Sequence, residues 1–304
     1  HLSVGMIVIF TEYARQFTRP LNDLANQFNN VLSAIAGAER VFEILDEPIE
    51  TEPHAQPLTK RLSGRIAFDD VTFRYDASTE KPTLSHMSFH VPAGKTAALI
   101  GATGAGKTTV MQLIARFYDV DEGRVMIDDR NIETIARQDL RAQMAFVLQE
   151  PFLFEGTIRD NIRYGRLDAT DADIEQAAKQ ANAHDFIMKL AGGYDHVLTE
   201  DGGDISQGQK QLLSIARALV ADPAILLLDE ATSSIDTVTE MAIQEALDRL
   251  MQGRTSIVIA HRLNTVKNAD YIFVLEQGRL IEGGLRKELL ATKGRYYDMV
   301  IQGK

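Results

Sequence analysis

Nine consecutive residues, Gly101-Ala102-Thr103-Gly104-Ala105-Gly106-Lys107-Thr108-Thr109, constrain this chain more than any other stretch. They fit the phosphate-binding pattern G-x-x-x-x-G-K-[ST], and their flanks are those the pattern requires. Before them, Lys95 to Ile100 is a short apolar run that reads as a buried strand. After them, Thr108 to Tyr118 reads as a helix, with Val110, Leu113, Ile114 and Phe117 at helical spacing. Glycines let backbone N–H groups close around a phosphate with no Cβ in the way, and the helix start adds partial positive charge. Lys107 is then placed to reach the β- and γ-phosphates, and Thr108 to offer its hydroxyl to Mg²⁺. The stretch is a nucleotide site on an α/β fold.

The bulk numbers narrow the setting. A chain of 304 residues with 45% hydrophobic and 25% charged residues has the composition of a globular protein with a sizeable core. A formal net charge of -11 argues against a broad nucleic-acid footprint, so no nucleic-acid partner is expected. Cysteine is absent, which excludes disulfides, thiolate metal sites and cysteine nucleophiles. No stretch has the length and apolarity of an ordinary membrane span, because Glu12, Arg15 and Arg19 follow the apolar run Val4 to Phe10 too soon. The N-terminus also lacks the layout of a signal peptide, and a start at His1 rather than Met suits a piece of a longer protein.

In chain order, residues from about Val4 to Leu45 read as one long helix. Leu21, Phe28, Ile35 and Phe42 recur at heptad spacing, with Leu24, Val31, Ala38 and Leu45 at the matching offset. Pro20 alone interrupts, and a local kink is expected there. Such a seam calls for a partner outside the chain, or a polar path lined with other helices. From Asp46 to Ser63 the pattern stops, and Pro48, Pro53 and Pro57 among glutamates mark a linker. Ile66 to Tyr75 alternates as a strand, with a slip at Asp69-Asp70 that suggests a bulge or turn, and Met87 to Val91 is another strand. Together they predict a β-rich lobe. Strands are expected over Gly123–Ile127 and Met144–Leu148. Pro151 to Val220 then reads as a helical lobe without strands, with helices at Asp171–Asn182 and Ala183–Ala191. Ala224 to Leu228 is a continuous apolar run of the kind buried on both faces of a sheet. A helix over Thr237–Leu250, strands over Thr255–Ala260, Tyr271–Leu275 and Arg279–Ile281, and one final helix over residues 286–301 complete the reading.

At this point the ordered motifs resemble those of ABC transporters, in particular exporters whose membrane and ATPase parts are fused. The likeness extends over nearly the whole chain. Gly101–Thr109 resembles the Walker A loop, Gln149 the Q-loop glutamine, Ile205–Gln209 the signature motif and Ile225–Glu230 Walker B. Ser234-Ile235-Asp236 resembles the D-loop, His261 the switch histidine, and Tyr75 the aromatic against adenine. Thr199-Glu200 resembles the exporter segment that meets the partner's membrane helices. The long first helix, with Ala38-Glu39-Arg40-Val41-Phe42 near its end, resembles the last transmembrane, pore-lining helix of such an exporter. Departures are few: Ile205 stands where leucine is usual, Gln207 is a common exporter variant, and Gly283-Gly284-Leu285-Arg286 lacks a common Thr-His pair. The resemblance implies an ABC-type P-loop NTPase with a RecA-like core, β-rich lobe and helical subdomain at about 151–220. Domain limits would be 1–45 for the end of the transmembrane domain, 46–63 for the linker and 64–304 for the ATPase.

The residue chemistry runs alongside that likeness. Asp229, at the carboxyl end of a buried strand, is placed to hold a Mg²⁺-bound water. Glu230 beside it is the candidate general base, and His261 follows another apolar strand whose end reaches the same crevice. Gln149 suits either a strand cap or a contact with Mg²⁺, water and the γ-phosphate; Tyr75 suits either packing or stacking on a base. The expected nucleotide ligands are Tyr75, Gly101, Thr103, Gly104, Ala105, Gly106, Lys107, Thr108 and Thr109. Thr108, Gln149 and Asp229 are expected to hold the metal, and Glu230, His261 and Gln149 to carry catalysis. Ser206, Gly208 and Gln209 make a second anion site at a helix start. By resemblance, that site and Asp236 serve a facing copy, sandwiching two ATP in a head-to-tail dimer of half-transporters. The resemblance implies ATP and Mg²⁺ as cofactors and a cell membrane as the location, with the ATPase facing the cytoplasm. Two rival classes remain on the table. A soluble importer ATPase is disfavoured by the fused helix, and a DNA-associated ATPase by the short, heptad-free interval between Walker A and signature.

Overall fold

The computed structural model describes residues 3–47, 49–52, 55–79, 81–199, 203–229, 237–260 and 267–302. It divides into two compact units, His1–Thr51 and Glu52–Lys304. The first is α1 (Val4–Leu45), a helix that runs on through Pro20. Its start is capped by Ser3, whose hydroxyl accepts the Met6 N–H, and its end by the Asp46 N–H on the Phe42 carbonyl at 2.8 Å. Among the described residues of α1 none is buried, and Phe17, Leu24, Phe28 and Phe42 of its apolar seam stand exposed. Among the described residues no helix is long and apolar enough to cross a membrane.

The second unit is layered. A four-stranded antiparallel sheet, ordered β2 (Leu84–Val91), β1 (Ile66–Phe73), β4 (Glu122–Ile127), β5 (Arg130–Asn131), forms one layer. The central sheet has β3 (Thr96–Ile100) flanked by β10 (Thr255–Ile259) and β11 (Tyr271–Glu276). Beyond β10 lie β9 (Ile225–Asp229) and β6 (Met144–Val147), and these five strands are parallel. At the far edge β12 (Arg279–Leu285) runs antiparallel to β11. Parallel strands buried on both faces favour near-continuous apolar runs, and β9 shows why. Ile225 and Leu227 enter the core beneath the antiparallel sheet, while Leu226 and Leu228 enter the core of the helical lobe. In β3, Ala97 and Leu99 join the first of these cores, and Ala98 and Ile100 join a third one formed with the C-terminal helices.

The helical lobe holds α4 (Ile158–Arg163), α5 (Asp171–Gln180), α6 (His184–Ile187) and α7 (Gln207–Ala221). Its core also takes residues from α8 (Thr237–Met251). The lobe is not free of strands as expected: β7 (Gly156–Thr157) pairs with β8 (Val197–Leu198), a two-residue ladder too short to show period-2 alternation. The helix after the phosphate loop, α2 (Lys107–Ile114), stops well before Tyr118. Arg116 turns to φ 52°, and the Phe117 N–H reaches back to the Gln112 carbonyl. The expected slip at Asp69-Asp70 is a bulge, with Asp70 at φ 51° and the β1–β2 register shifted between Phe68 and Val71. The single expected last helix is two, α9 (Arg286–Thr292) and α10 (Arg295–Gln302). Lys293 turns left-handed at φ 54°, and the Glu282 carboxylate accepts the Tyr296 N–H at 2.9 Å.

Residues 52 and 55–63, expected to belong to a linker, are fastened at several points to the ATPase unit. Gln56 bridges Ile135, the Leu58 N–H reaches Asp139 Oδ2 at 2.8 Å, and Arg61 pairs with Asp222 at 2.6 Å. Asp128 accepts from the Ser63, Gly64 and Arg65 N–H groups and from the Ser63 hydroxyl. Burial pushes the Asp128 carboxyl up, yet these hydrogen bonds together hold it below the ordinary value.

Candidate functional site

The carboxyl ends of β3, β9 and β6 share one edge of the central sheet, where an open α/β sheet leaves its crevice. A cavity of about 360 Å³ lies there. From the expected set it is lined by Tyr75, Thr103, Gly104, Gly106, Lys107, Thr108, Thr109, Gln149 and Asp229. Four separate stretches of sequence therefore meet in one place. Gly101 and Ala105 do not line it; they act through their carbonyls, which hold Lys107 and the neighbouring hairpin. Ser206, Gly208 and Gln209 lie elsewhere, at the start of α7. Glu200, Glu230, Asp236 and His261 lie outside the described residues.

Lys107 is the electrostatic centre. Its ammonium donates to the Gly101 carbonyl at 2.8 Å and the Ala102 carbonyl at 2.9 Å. The side chain is only 6% exposed, and burial lowers its pKa while the negative charge of Asp229 pulls it back up. A buried cation that leans on two carbonyls is poised to exchange them for phosphate oxygens. Gly106 at the N-cap of α2 offers no side-chain cap, so the orphan N–H groups of the first turn are left for a ligand. Its φ of +100°, with a Cβ landing 2.5 Å from Leu84 Cδ2, permits only glycine.

The loop is also braced from behind, which the sequence reading missed. The turn between β11 and β12 passes Gly278 under it, where the Gly278 N–H donates to the Ala105 carbonyl at 3.2 Å and the Gly278 carbonyl accepts the Ser85 N–H at 2.9 Å. A Cβ at Gly278 would run into the Thr83 carbonyl, and Thr83 itself lines the cavity, as does Ile259. The one available signal was the Gln277-Gly278 turn pair.

Tyr75 stands at the rim, half exposed. Its hydroxyl shares a hydrogen bond with Thr109 Oγ1 at 2.9 Å and reaches Gln112, and its ring meets Phe73 and Tyr118 edge-on. Thr108 and Gln149 are exposed to the cavity side, and Asp229 is half-buried at the end of β9. A hydroxyl, an amide and a carboxylate are an all-oxygen donor set of the kind a hard divalent cation takes. The residues present fit Mg²⁺.

At the start of α7, Ser206 and Gln209 form a capping box. The Ser206 hydroxyl accepts the Gln209 N–H at 3.3 Å, and the Gln209 side-chain oxygen accepts the Ser206 N–H at 2.9 Å. The remaining first-turn N–H groups there form a second, separate anion-ready helix end.

Residues 84–233 match the ABC transporter family. The chain belongs to this family. An ABC transporter ATP-binding protein of Bacillus subtilis strain 168, YfiC, is 60% identical over 98% of this chain and 49% of its own length. The fatty acid ABC transporter ATP-binding/permease protein of Mycobacterium bovis is 46% identical over 98% of the chain and 47% of its own length. A solved structure of a bacterial Atm1-family ABC exporter with ATP bound superposes with a TM-score of 0.80 at 40% identity, covering 99% of this chain and 53% of that one. The chain thus spans about half the length of the relatives it matches. It is the nucleotide-binding half, an ABC ATPase fold preceded by a long helix. It is accordingly an ABC transporter ATPase domain, which implies ATP binding.

Proposed function

We propose that this chain is the ATP-hydrolysing part of an exporter that pairs head to tail with a second half-transporter and drives a substrate out across a cell membrane. The observation that carries the reading is coverage. The relatedness to an Atm1-family exporter takes in 99% of the chain, α1 included, which a free-standing importer subunit has no reason to carry. The ATPase unit then faces the cytoplasm and α1 is the end of the last transmembrane helix. Residues 1–45, 46–63 and 64–304 serve as membrane part, connector and ATPase, with residues 151–220 as the helical subdomain.

In the cavity, Lys107 leaves the Gly101 and Ala102 carbonyls and neutralises the β- and γ-phosphates. Gly101 to Gly106 and the first turn of α2, with Thr109, hold the phosphate chain by backbone N–H groups. Tyr75 packs against the base. Thr108, Gln149 and Asp229 hold Mg²⁺, which supplies positive charge to the phosphoryl oxygens when bound. Glu230 takes the proton of the attacking water, and His261 orients it toward the γ-phosphate. Ser206, Gly208 and Gln209 of the facing copy close over the nucleotide, and Asp236 crosses the same interface. Because those contacts need an intact γ-phosphate, ATP favours the closed pair and hydrolysis releases it.

Two inactive variants of the full-length protein, mixed in lipid, test the arrangement. Lys107→Ala removes binding in cis, whereas Ser206→Asp keeps the helix cap but sets a negative charge against the partner's phosphate. Each alone is expected to be inactive, and a mixed pair to regain turnover through its one intact composite site. A mixture as inactive as its components sinks the head-to-tail reading. Glu230→Gln is expected to bind ATP and accumulate as a closed dimer without turnover. Fatty acids are the first cargo to test for stimulation, given the Mycobacterium bovis relative.

A further inference from the structure

Among the described residues nothing hydrogen-bonds the Gln149 side chain, so its place in the cavity depends on the main chain to either side. Both sides are gripped by α7. On one, the buried Gln211 donates from Nε2 to the Leu148 carbonyl at 3.3 Å. On the other, Arg217 Nη1 donates to the Phe152 carbonyl at 2.9 Å. The same guanidinium donates through Nε to the Asn161 carbonyl and through Nη2 to Asn161 Oδ1, both at 2.9 Å, and lies against the rings of Phe154 and Tyr164. Asn161 completes the fastening, with its Oδ1 accepting the Phe154 N–H and its Nδ2 donating to the Phe154 and Thr157 carbonyls. Arg217 lies deep enough that desolvation lowers its pKa. No carboxylate is paired with it among the described residues, so its charge is spent on the carbonyls that fix this segment.

We propose that Gln211 and Arg217 are positioning residues, which clamp the main chain on both sides of Gln149 and set where its amide stands in the phosphate cavity. This rests on the reading of Gln149 as a contact to the cation and γ-phosphate. One helix then carries Ser206 at its start and both clamps along its length. A facing copy that draws on the Ser206 end moves Gln149 with it, through a rigid rod rather than a flexible loop. The planar fork of arginine matters here, because a lysine ammonium reaches at most one or two of the three acceptors.

The test uses the full-length protein with Gln211→Met, Arg217→Lys and, for reference, Gln149→Ala. Hydrogen exchange of the Phe154 amide and its neighbours in 148–156 reads the clamp without nucleotide. Either variant is expected to speed exchange there by about tenfold or more, the scale of a lost charged or buried hydrogen bond, with α7 and the central strands unchanged. The Mg²⁺ concentration for half-maximal turnover reads the consequence. It should rise in Gln211→Met as in Gln149→Ala, with kcat falling and KM for ATP held, and the double variant should add nothing. Gln211→Met is the milder change and decides the matter if Arg217→Lys does not fold. Unchanged local exchange overturns the clamp, and additive effects in the double variant overturn its route through Gln149. A Gln149→Ala variant with normal Mg²⁺ dependence would instead overturn the reading of Gln149, while the exchange measurement still decides the clamp.

Discussion

Replacing Glu52 with alanine is expected to destabilise the ATPase unit by about 2–4 kcal/mol, far more than a glutamate in a proline-rich connector should matter. Glu52 Oε1 accepts from Arg116 Nη1 at 3.0 Å, and both carboxylate oxygens accept the Arg137 N–H, at 3.2 and 3.3 Å. That N–H opens α3 (Arg137–Ala142), whose N-cap, Ala136, has no side-chain oxygen to offer; Glu52 supplies the cap from 85 residues upstream. A lost cap costs about 1 kcal/mol. Arg116 is 4% exposed, and losing one charged partner costs a further ~1.5–3 kcal/mol. The loss stays at that level because Arg116 keeps Asp119 at 2.9 Å and the carbonyls of Ile132 and Ile135. The Nε of Arg137 lies 3.5 Å from Glu52 but without hydrogen-bond geometry, so it adds charge attraction and little else. Urea unfolding of wild type, Glu52→Ala and Glu52→Gln provides the measurement. Glutamine keeps the acceptor oxygen and should lose roughly half as much. Asp69→Ala, which breaks the exposed pair with Arg124, is the control and should cost at most about 1 kcal/mol. A Glu52→Ala variant no less stable than that control refutes the reasoning.

Lys107→Met should leave the melting temperature of the nucleotide-free protein unchanged or raised, because it removes a buried charge, while abolishing the upward shift that ATP produces. Gly106→Ala combines a left-handed φ with a clash on Leu84 and should cost about 2–4 kcal/mol by urea unfolding. His196 Nε2 and Asp204 Oδ2 lie 2.6 Å apart just before the Ser206 cap, and that hydrogen bond raises the histidine's pKa and lowers the carboxyl's. The histidine's contribution is therefore complete below about pH 6.5 and lost as pH rises through its raised folded value, while the aspartate's is lost as pH falls below about 4. The stability gap between wild type and His196→Asn should accordingly be widest between about pH 4 and 6.5 and close above it; a pH-independent gap contradicts the pairing.

The central sheet and the phosphate loop were legible because local and tertiary demands coincide there. Each residue from Ile225 to Leu228 of β9 meets a core on its own face, so the unbroken apolar run is both a sequence pattern and a packing fact. Phe117 misled for the opposite reason: its spacing continued the helix, but it reaches its partners, the Phe146 ring and the Arg141 guanidinium, after a left-handed turn at Arg116. Periodicity records that a side chain has apolar neighbours, not which backbone delivers it, and Phe117 stays half exposed beside them. Residues 52–63 were opaque because proline and glutamate read as solvent-facing chain, and the partners that make them structural, Arg116, Asp128, Asp139 and Asp222, lie far along the sequence. The site divides along the same line. Lys107, Thr108 and the glycines come from one contiguous motif, whereas the Gly278 brace and the hold of α7 on Leu148 and Phe152 arise only when distant segments meet. Carbonyls do most of that work, at Gly101, Ala102, Ala105, Leu148 and Phe152 alike. Every residue type carries the same carbonyl, so a brace built on carbonyls leaves its mark only on the donor side. The residues to search for in such a chain are therefore sheltered donors without a paired acid, as Arg217 is among the described residues.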